Sequence, residues 1–279
     1  MKLKNKKIYN IVRKLYYKYP SMRKFIFELD KKFLFKPVFV GGLIKTECEN
    51  PWNDNFQNKV FEEAIKEIKD NLESNLDKNK VDRLSIDIAK WRYWIISYAV
   101  KHAIEFSEVK EYNFVECGVA EGFSSYIALK EIIVDKKVGK KFSFHLYDSW
   151  KPMRKEDLVE SEYSKEGKYE HLDQHVVKRN LKNFEEFLVY HPGYIPDTFK
   201  DIPESPSSIV YLAIDLNAVK PTIDTLNKFL PALVRGGVII FDDYGVKEYH
   251  DTKKAIDEFL HNKQGVFLKL PTGQAIFFR

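Results

Sequence analysis

Cysteine is almost missing: 279 residues contain only Cys48 and Cys117, so neither a disulfide framework nor a cysteine zinc site has the material to form. Long apolar runs are missing as well. No stretch reaches the roughly 20 residues that span a bilayer, and the start of the chain lacks the apolar core and small-residue cleavage site of a secretory signal. Together these gaps lead us to expect a soluble protein of the reducing cytoplasm. The dinucleotide fingerprint G-x-G-x-x-G does not occur, and no recognisable nucleic-acid-binding motif does either. With 44% apolar and 31% charged residues, the chain is still rich enough in core formers for one α/β unit with an appendage, which makes large-scale disorder unlikely to describe it.

Charge is unevenly placed. Residues 1–36 carry 12 Lys or Arg against Glu28 and Asp30, a net of +10, while the remainder has 34 basic and 39 acidic residues and is net −5. Within the basic arm Ile8, Ile11, Val12, Leu15, Tyr16 and Tyr19 recur at helical spacing up to Pro20, the pattern of an amphipathic helix. Its apolar stripe needs cover, from the protein's own core or from a twin subunit in a homodimer; contact with an anionic membrane surface is the alternative, and no nucleic-acid partner is expected. Residues 1–80 therefore read as a helical N-terminal extension, with a short helix over Lys59 to Leu76 and a polar connection from Asn75 to Lys80. Residues 81–279 read as the main domain.

That domain opens with an aromatic-rich helix from Asp82 to Phe106, in which Ile88, Trp91, Ile95, Tyr98, Ala99 and His102 are spaced by three or four. Beyond it, apolar runs alternate with helical patterns: strand 113–117, helix 123–134, strand 142–147, helix 173–183, strands 186–190 and 209–214, helix 221–229, strand 237–241, helix 252–261. Such alternation predicts a mostly parallel sheet covered on both faces. Gly236-Gly237 reads as a break before the last parallel strand. Val266 to Leu270 and Ala275 to Phe278, joined by Pro271-Thr272-Gly273, form a closing hairpin. Residues 151–172 are long, polar and aperiodic, which suits a lid or binding loop.

The run Phe114-Val115-Glu116-Cys117-Gly118-Val119-Ala120-Glu121-Gly122-Phe123-Ser124-Ser125 leads from an apolar strand through a glycine turn into a helix start. Gly118 and Gly122 would let a ligand approach the backbone, and Ser124, Ser125 and the first amides of the helix would offer hydrogen bonds and a dipole that favours an anion. Asp148 ends the next apolar run, where a carboxylate can hold ribose hydroxyls. A nucleoside with a carboxylate suggests S-adenosylmethionine, with Glu116, Gly118, Gly122, Ser124, Ser125 and Asp148 as its candidate contacts. Two further apolar runs end in acids, Ile209 to Ile214 at Asp215 and Val238 to Phe241 at Asp242-Asp243. Parallel pairing would bring these three carboxylates to the same sheet edge, where they need a compensating cation; hard oxygen donors suit Mg²⁺, with Ca²⁺ or Mn²⁺ also open.

These residues resemble the class I S-adenosylmethionine-dependent methyltransferases of the macrocin and mycinamicin sugar O-methyltransferase family. The resemblance runs from about Asp82 to Arg279 through the glycine turn, Leu146-Tyr147-Asp148-Ser149-Trp150, Leu212-Ala213-Ile214-Asp215 and Gly236-Gly237-Val238-Ile239-Ile240-Phe241-Asp242-Asp243-Tyr244-Gly245. Ala255-Ile256-Asp257-Glu258-Phe259 and the ending Leu270-Pro271-Thr272-Gly273-Gln274 extend it. It implies a Rossmann-like sheet of seven strands and metal-dependent methyl transfer to a hydroxyl of a sugar in a glycan, glycolipid precursor or glycosylated metabolite. It also implies that the turn holds the methionine part, Asp148 the ribose, and Asp215, Asp242 and Asp243 a divalent cation. One position departs from the family. The antibiotic-sugar enzymes carry an aspartate, their proposed general base, two residues after the first metal aspartate, and this chain has Asn217 there. The expected base is then His250, followed by His191 and Lys220, unless the proton leaves directly to water; Asn217 could itself offer an oxygen to the metal. Two other readings stay open, a non-catalytic binding or scaffold protein on this fold and an NAD-dependent oxidoreductase.

Overall fold

The computed structural model describes residues 50–53, 58–75, 81–200 and 206–279. The basic arm of residues 1–36 and most of the connection to residue 80 lie outside the described residues. Among the described residues six α-helices and seven strands follow one another: α1 (Lys59–Asn71), α2 (Arg83–Phe106), β1 (Tyr112–Cys117), α3 (Phe123–Val134), β2 (Phe142–Asp148), α4 (Gln174–Asn180), β3 (Leu188–Pro192), β4 (Ile209–Ile214), α5 (Val219–Phe229), β5 (Leu233–Phe241), α6 (His250–Leu260), β6 (Val266–Lys269) and β7 (Ala275–Phe278). They build one sheet in the order β3-β2-β1-β4-β5-β7-β6. The first five strands are parallel, β7 runs antiparallel to β5, and β6 closes the hairpin.

The near-continuous apolar runs have a direct cause: both faces of the central parallel strands β2, β1, β4 and β5 are largely buried, whereas the edge strand β3 is partly exposed. Phe114, Tyr211 and Ala213 point into a core shared with α1, α2 and α3, while Val115, Leu212 and Ile214 point into a second one with Leu226 and Phe229 of α5 and Ile256 of α6. Phe61, Ala64, Ile65 and Ile68 of α1 form a stripe at helical spacing that packs into the first of these cores. Asp82 caps α2 by accepting from Leu84 N at 3.2 Å. The glycine pair proves not to precede a strand. It lies inside β5, where the register jumps from Ile209 opposite Leu233 to Tyr211 opposite Val238, so the excess residues are accommodated as an irregularity of the ladder. Among the described residues no helix is long and apolar enough to cross a membrane.

At the β2–β3 edge His145 Nδ1 and His191 Nε2 lie 3.0 Å apart with near-parallel rings. Burial pushes both imidazoles down to about 4. Both are therefore neutral in the fold at pH 5, whereas in the unfolded chain they take up protons below their ordinary value near 6.5. Their contribution to stability is complete above about pH 6.5 and falls as pH drops towards 4, by up to ~3 kcal/mol for each imidazole. Urea midpoints measured from pH 7 to pH 4.5 should fall more steeply in the wild type than in His145→Gln/His191→Gln. Equal slopes would contradict this reading.

Candidate active site

The parallel strands deliver their ends to one edge in steps. Gly118 N donates to Tyr147 O at 2.8 Å, Asp215 N to Cys117 O at 2.8 Å and Asp242 N to Ile214 O at 3.0 Å, so each carboxylate continues the ladder by one residue past its strand. Between β1 and α3 the backbone enters the left-handed region at Gly118, Ala120 and Gly122, with φ of +89°, +48° and +81°. This turns the amides of Val119 and Ala120 inward, and both donate to Asp148 Oδ2 at 2.8 Å; Trp150 N donates to Oδ1 at 2.7 Å. Burial raises the Asp148 carboxyl above the usual range and these backbone donors pull it back. Asp148 thus fixes the turn as well as facing the cavity beside it.

The hydroxyls of the two serines in the turn are engaged within the protein, although Ser124 also lines a cavity. Ser124 Oγ and Ser125 Oγ both donate to the buried Glu116 carboxyl, Ser125 at 2.6 Å. Burial pushes Glu116 up to about 7 in spite of these donors. Gly122 packs against the protein, since a Cβ there would meet Val177 Cγ2 at 2.7 Å and Leu181 Cδ1 at 3.3 Å. Its freedom serves the seating of α3 against the residues around α4. Glu121, which the sequence does not single out, accepts from Ser74 Oγ at 2.9 Å and Asn75 N at 2.6 Å and ties the segment after α1 to the turn.

Asp215, Asp242 and Asp243 come together as expected, each offering a carboxylate oxygen within 4.8 Å of the other two. Burial, then Asp242 and Asp243, raise the Asp215 carboxyl well above its ordinary value; burial raises Asp242 as well, against the pull of Arg92. Arg92 of α2 reaches into the cluster. Its Nη2 donates to Asp242 Oδ2, to Asp242 O at 3.0 Å and to Asp243 Oδ1 at 2.7 Å. Gln274, which leads into β7, donates from Nε2 to Asp242 Oδ1 at 2.9 Å. Asn217, itself left-handed at φ +58°, donates from Nδ2 to Asp215 Oδ1 at 3.0 Å. Its own Oδ1 is buried with no hydrogen-bond partner among the described residues.

Two adjoining cavities of about 290 and 260 Å³ share Arg92, Gly118, Ala120, Asp215 and Asp242, and jointly they fall in the size range of small-molecule sites. The first extends past Asp148, Gly193 and Asp243 to Met153, Tyr169 and Leu172 of the 151–172 segment; the second runs along Tyr93, Glu116 and Ser124. The long segment is an ordered cover. Met153 and Gly167 pair back to back with residues of its far arm, Met153 N to Lys168 O at 2.8 Å and Gly167 N to Met153 O at 2.9 Å. A buried pair, Lys165 to Glu162 at 3.0 Å, pins it below: Lys165 Nζ donates to Asn217 O at 2.8 Å and Val219 N to Glu162 Oε2 at 3.2 Å. Burial, followed by the nearby Tyr249 and Asp215, raises the Tyr169 hydroxyl far above its ordinary value and keeps it protonated.

None of the three expected bases reaches this place. His250 opens α6 with its side chain 78% exposed, Nδ1 lying 3.7 Å from Asp251. His191 is packed on Tyr147 with ring centroids 4.1 Å apart, and the exposed Lys220 donates to Glu156 O at 2.8 Å. No one of them lines either cavity. Closeness to Asp243 in sequence misleads for His250, because the chain turns through Gly245 to Tyr249 and starts the helix facing solvent. Arg92 had only a faint sequence signal, a cation inside the aromatic run Trp91 to Trp94, and Gln274 only its place in the closing motif.

Against this geometry, a family profile described as macrocin-O-methyltransferase (TylF) matches residues 95–272. Among solved structures the chain is similar to the O-methyltransferase NovP, at 20% identity and a TM-score of 0.62 over 80% of this chain and 99% of that one. It is also similar to CalS11, a calicheamicin methyltransferase, at 12% identity and a TM-score of 0.55 over 85% of this chain and 98% of that one. These two likenesses carry the fold, a class I methyltransferase-like α/β sheet. No curated protein matches. The profile spans well over half of the sequence, including the glycine turn, Asp148 and the three strand-end aspartates, and the chain belongs to the macrocin-O-methyltransferase family of S-adenosylmethionine-dependent O-methyltransferases.

Proposed function

We propose that the methyl acceptor is a sugar hydroxyl, in a glycan, a glycolipid precursor or a glycosylated metabolite, and that Asp215, Asp242 and Asp243 hold a divalent cation, Mg²⁺ in the first place. The observation that carries this reading is the convergence of the three carboxylates on the sheet edge that also bears the turn at Gly118 and Asp148. The donor set suits such an ion: three hard carboxylates, with the buried, unpartnered Asn217 Oδ1 beside them. Arg92 now supplies the positive charge there, so an ion would take over the place of its guanidinium.

S-adenosylmethionine, when bound, brings a methyl group already activated on sulfonium, and a cation in the cluster would act as Lewis acid and template for neighbouring hydroxyls. The chain's own part is placement. Asp148 is oriented by three backbone amides towards a ribose, while Glu116 and Gly118 border the room for the methionine end. Tyr169, held protonated, offers a neutral hydroxyl over the acceptor side and takes no proton. With Asn217 where the family's antibiotic-sugar enzymes have an aspartate, we assign receipt of the acceptor's proton to Asp215, which the Asn217 amide orients. Covering by the 151–172 segment excludes water.

Mass spectrometry of a panel of free and nucleotide-linked sugars, incubated with enzyme, S-adenosylmethionine and Mg²⁺, should show a single methyl added to one of them. Excess EDTA should abolish that product while S-adenosylmethionine still binds, with the lower affinity of the cation-free site. Full turnover in EDTA would refute the cation. The cover makes a second, more local expectation. Because Glu162 and Lys165 already anchor its middle, hydrogen exchange on adding S-adenosylhomocysteine and acceptor should slow at 166–172, around Tyr169 and Leu172, and change little at 158–165. A uniform response, or none, would contradict the anchored-cover geometry.

A further inference from the structure

Arg92 is the one cation inside the carboxylate cluster among the described residues, and it borders both cavities. All of its side-chain hydrogen bonds among the described residues run through Nη2, to Asp242 and Asp243. A guanidinium carries five N–H donors in a planar fork, so Nε and Nη1 are left without a protein acceptor among the described residues, on a side chain that is only 30% exposed. Cavity room lies on the Glu116 side, where the carboxylate of an amino-acid ligand would need a positive partner; the other charged residues that line that cavity, Glu116, Glu121, Asp215 and Asp242, are all acids and cannot serve. Arg92 and a divalent cation cannot both sit between Asp242 and Asp243 at hydrogen-bond and coordination distance, since like charges would meet there.

We propose that Arg92 is an internal counter-ion that couples the two ligands: it closes the carboxylate cluster in the free protein, and the carboxylate of bound cofactor draws its guanidinium into the neighbouring cavity, opening the cluster to the cation. The inference rests on the cation reading above and assigns it an order, cofactor before metal. Such coupling is reciprocal, so whatever factor the cofactor adds to cation affinity, the cation adds to cofactor affinity.

Mn²⁺ binding, read by the electron paramagnetic resonance of free Mn²⁺, tests this without any turnover. In the wild type S-adenosylhomocysteine should tighten Mn²⁺ binding about tenfold or more, a typical coupling, and 5′-methylthioadenosine, which lacks the carboxylate, should not. Arg92→Gln should bind Mn²⁺ tightly with no nucleoside present and lose the enhancement; Arg92→Lys, which keeps charge but not the fork, should fall between. Calorimetry of S-adenosylhomocysteine on each variant confirms a folded site and should show the reciprocal gain from Mn²⁺ in full in the wild type, in part in Arg92→Lys and not at all in Arg92→Gln. Equal Mn²⁺ affinity of wild type and Arg92→Gln without nucleoside, or equal enhancement in both, would overturn the role of Arg92 while the cation reading stands. No Mn²⁺ bound by any form, with or without S-adenosylhomocysteine, would remove the cation reading and this one with it.

Discussion

Asp215→Asn should lose methyl transfer by about 10² to 10³-fold while melting no lower than the wild type. The two halves of this expectation come from the same surroundings. In the free protein the Asp215 carboxyl is buried and faces Asp242 and Asp243, which raises its proton affinity well above the ordinary value, so its negative form is a burden on the fold. An amide of the same shape removes that burden and keeps the oxygen that accepts from Asn217 Nδ2 at 3.0 Å. Stability should hold or rise, as is common when a charged functional site is neutralised. On the proposed function the chemistry would lose a cation ligand and the proton acceptor together, and a Lewis-acid contribution of several kcal/mol corresponds to that range of rate. Calorimetry with S-adenosylhomocysteine in the absence of divalent cation should show cofactor affinity little changed, separating this loss from misfolding. Activity near wild type would remove Asp215 from the reaction.

Gly118→Ala should be among the most damaging single changes to the fold, by ~3–5 kcal/mol, lowering Tm by roughly 10 °C or more. Its backbone sits at φ +89°, and a Cβ there would lie 2.0 Å from Asp215 O and 2.6 Å from Asp215 C. Those atoms are main chain held by the Asp215 N to Cys117 O bond, so relief would require parting β1 from β4 at the edge where the carboxylates gather. Gly139→Ala is the matched control: φ is +58° but nothing lies within 4 Å, so only the backbone strain of ~1–2 kcal/mol remains. Comparable losses in the two variants would show that crowding against Asp215 is not what Gly118 avoids.

What could be read from the sequence was whatever depends on neighbours along the chain. Apolar runs such as Ile209 to Ile214, buried on both faces, could only be central parallel strands, and an acid directly after each run had to emerge at the common edge. The glycine turn was legible for the same reason, since strand, turn and helix start are contiguous. What was not legible depends on side-chain direction or on partners far away in sequence. Ser124 and Ser125 looked like ligand donors and spend their hydroxyls on Glu116, because the first turn of α3 winds them back over β1. Arg92 and Gln274 enter the site from α2 and the final hairpin, 150 and 32 residues from Asp242. The polar 151–172 segment could be recognised as a cover, but the buried Glu162–Lys165 pair that orders it looks, in sequence, like any solvated charge pair.

The central claim is that cofactor and cation meet at the edge bounded by the Gly118 turn, Asp148 and the three strand-end aspartates. Anomalous diffraction from crystals grown with S-adenosylhomocysteine and Mn²⁺ tests it most directly. The account predicts one strong manganese peak ligated by Asp215, Asp242 and Asp243, with the ribose against Asp148 and Arg92 turned away from the cluster. Nucleoside bound there with Arg92 still seated between Asp242 and Asp243 and no manganese beside them would contradict it.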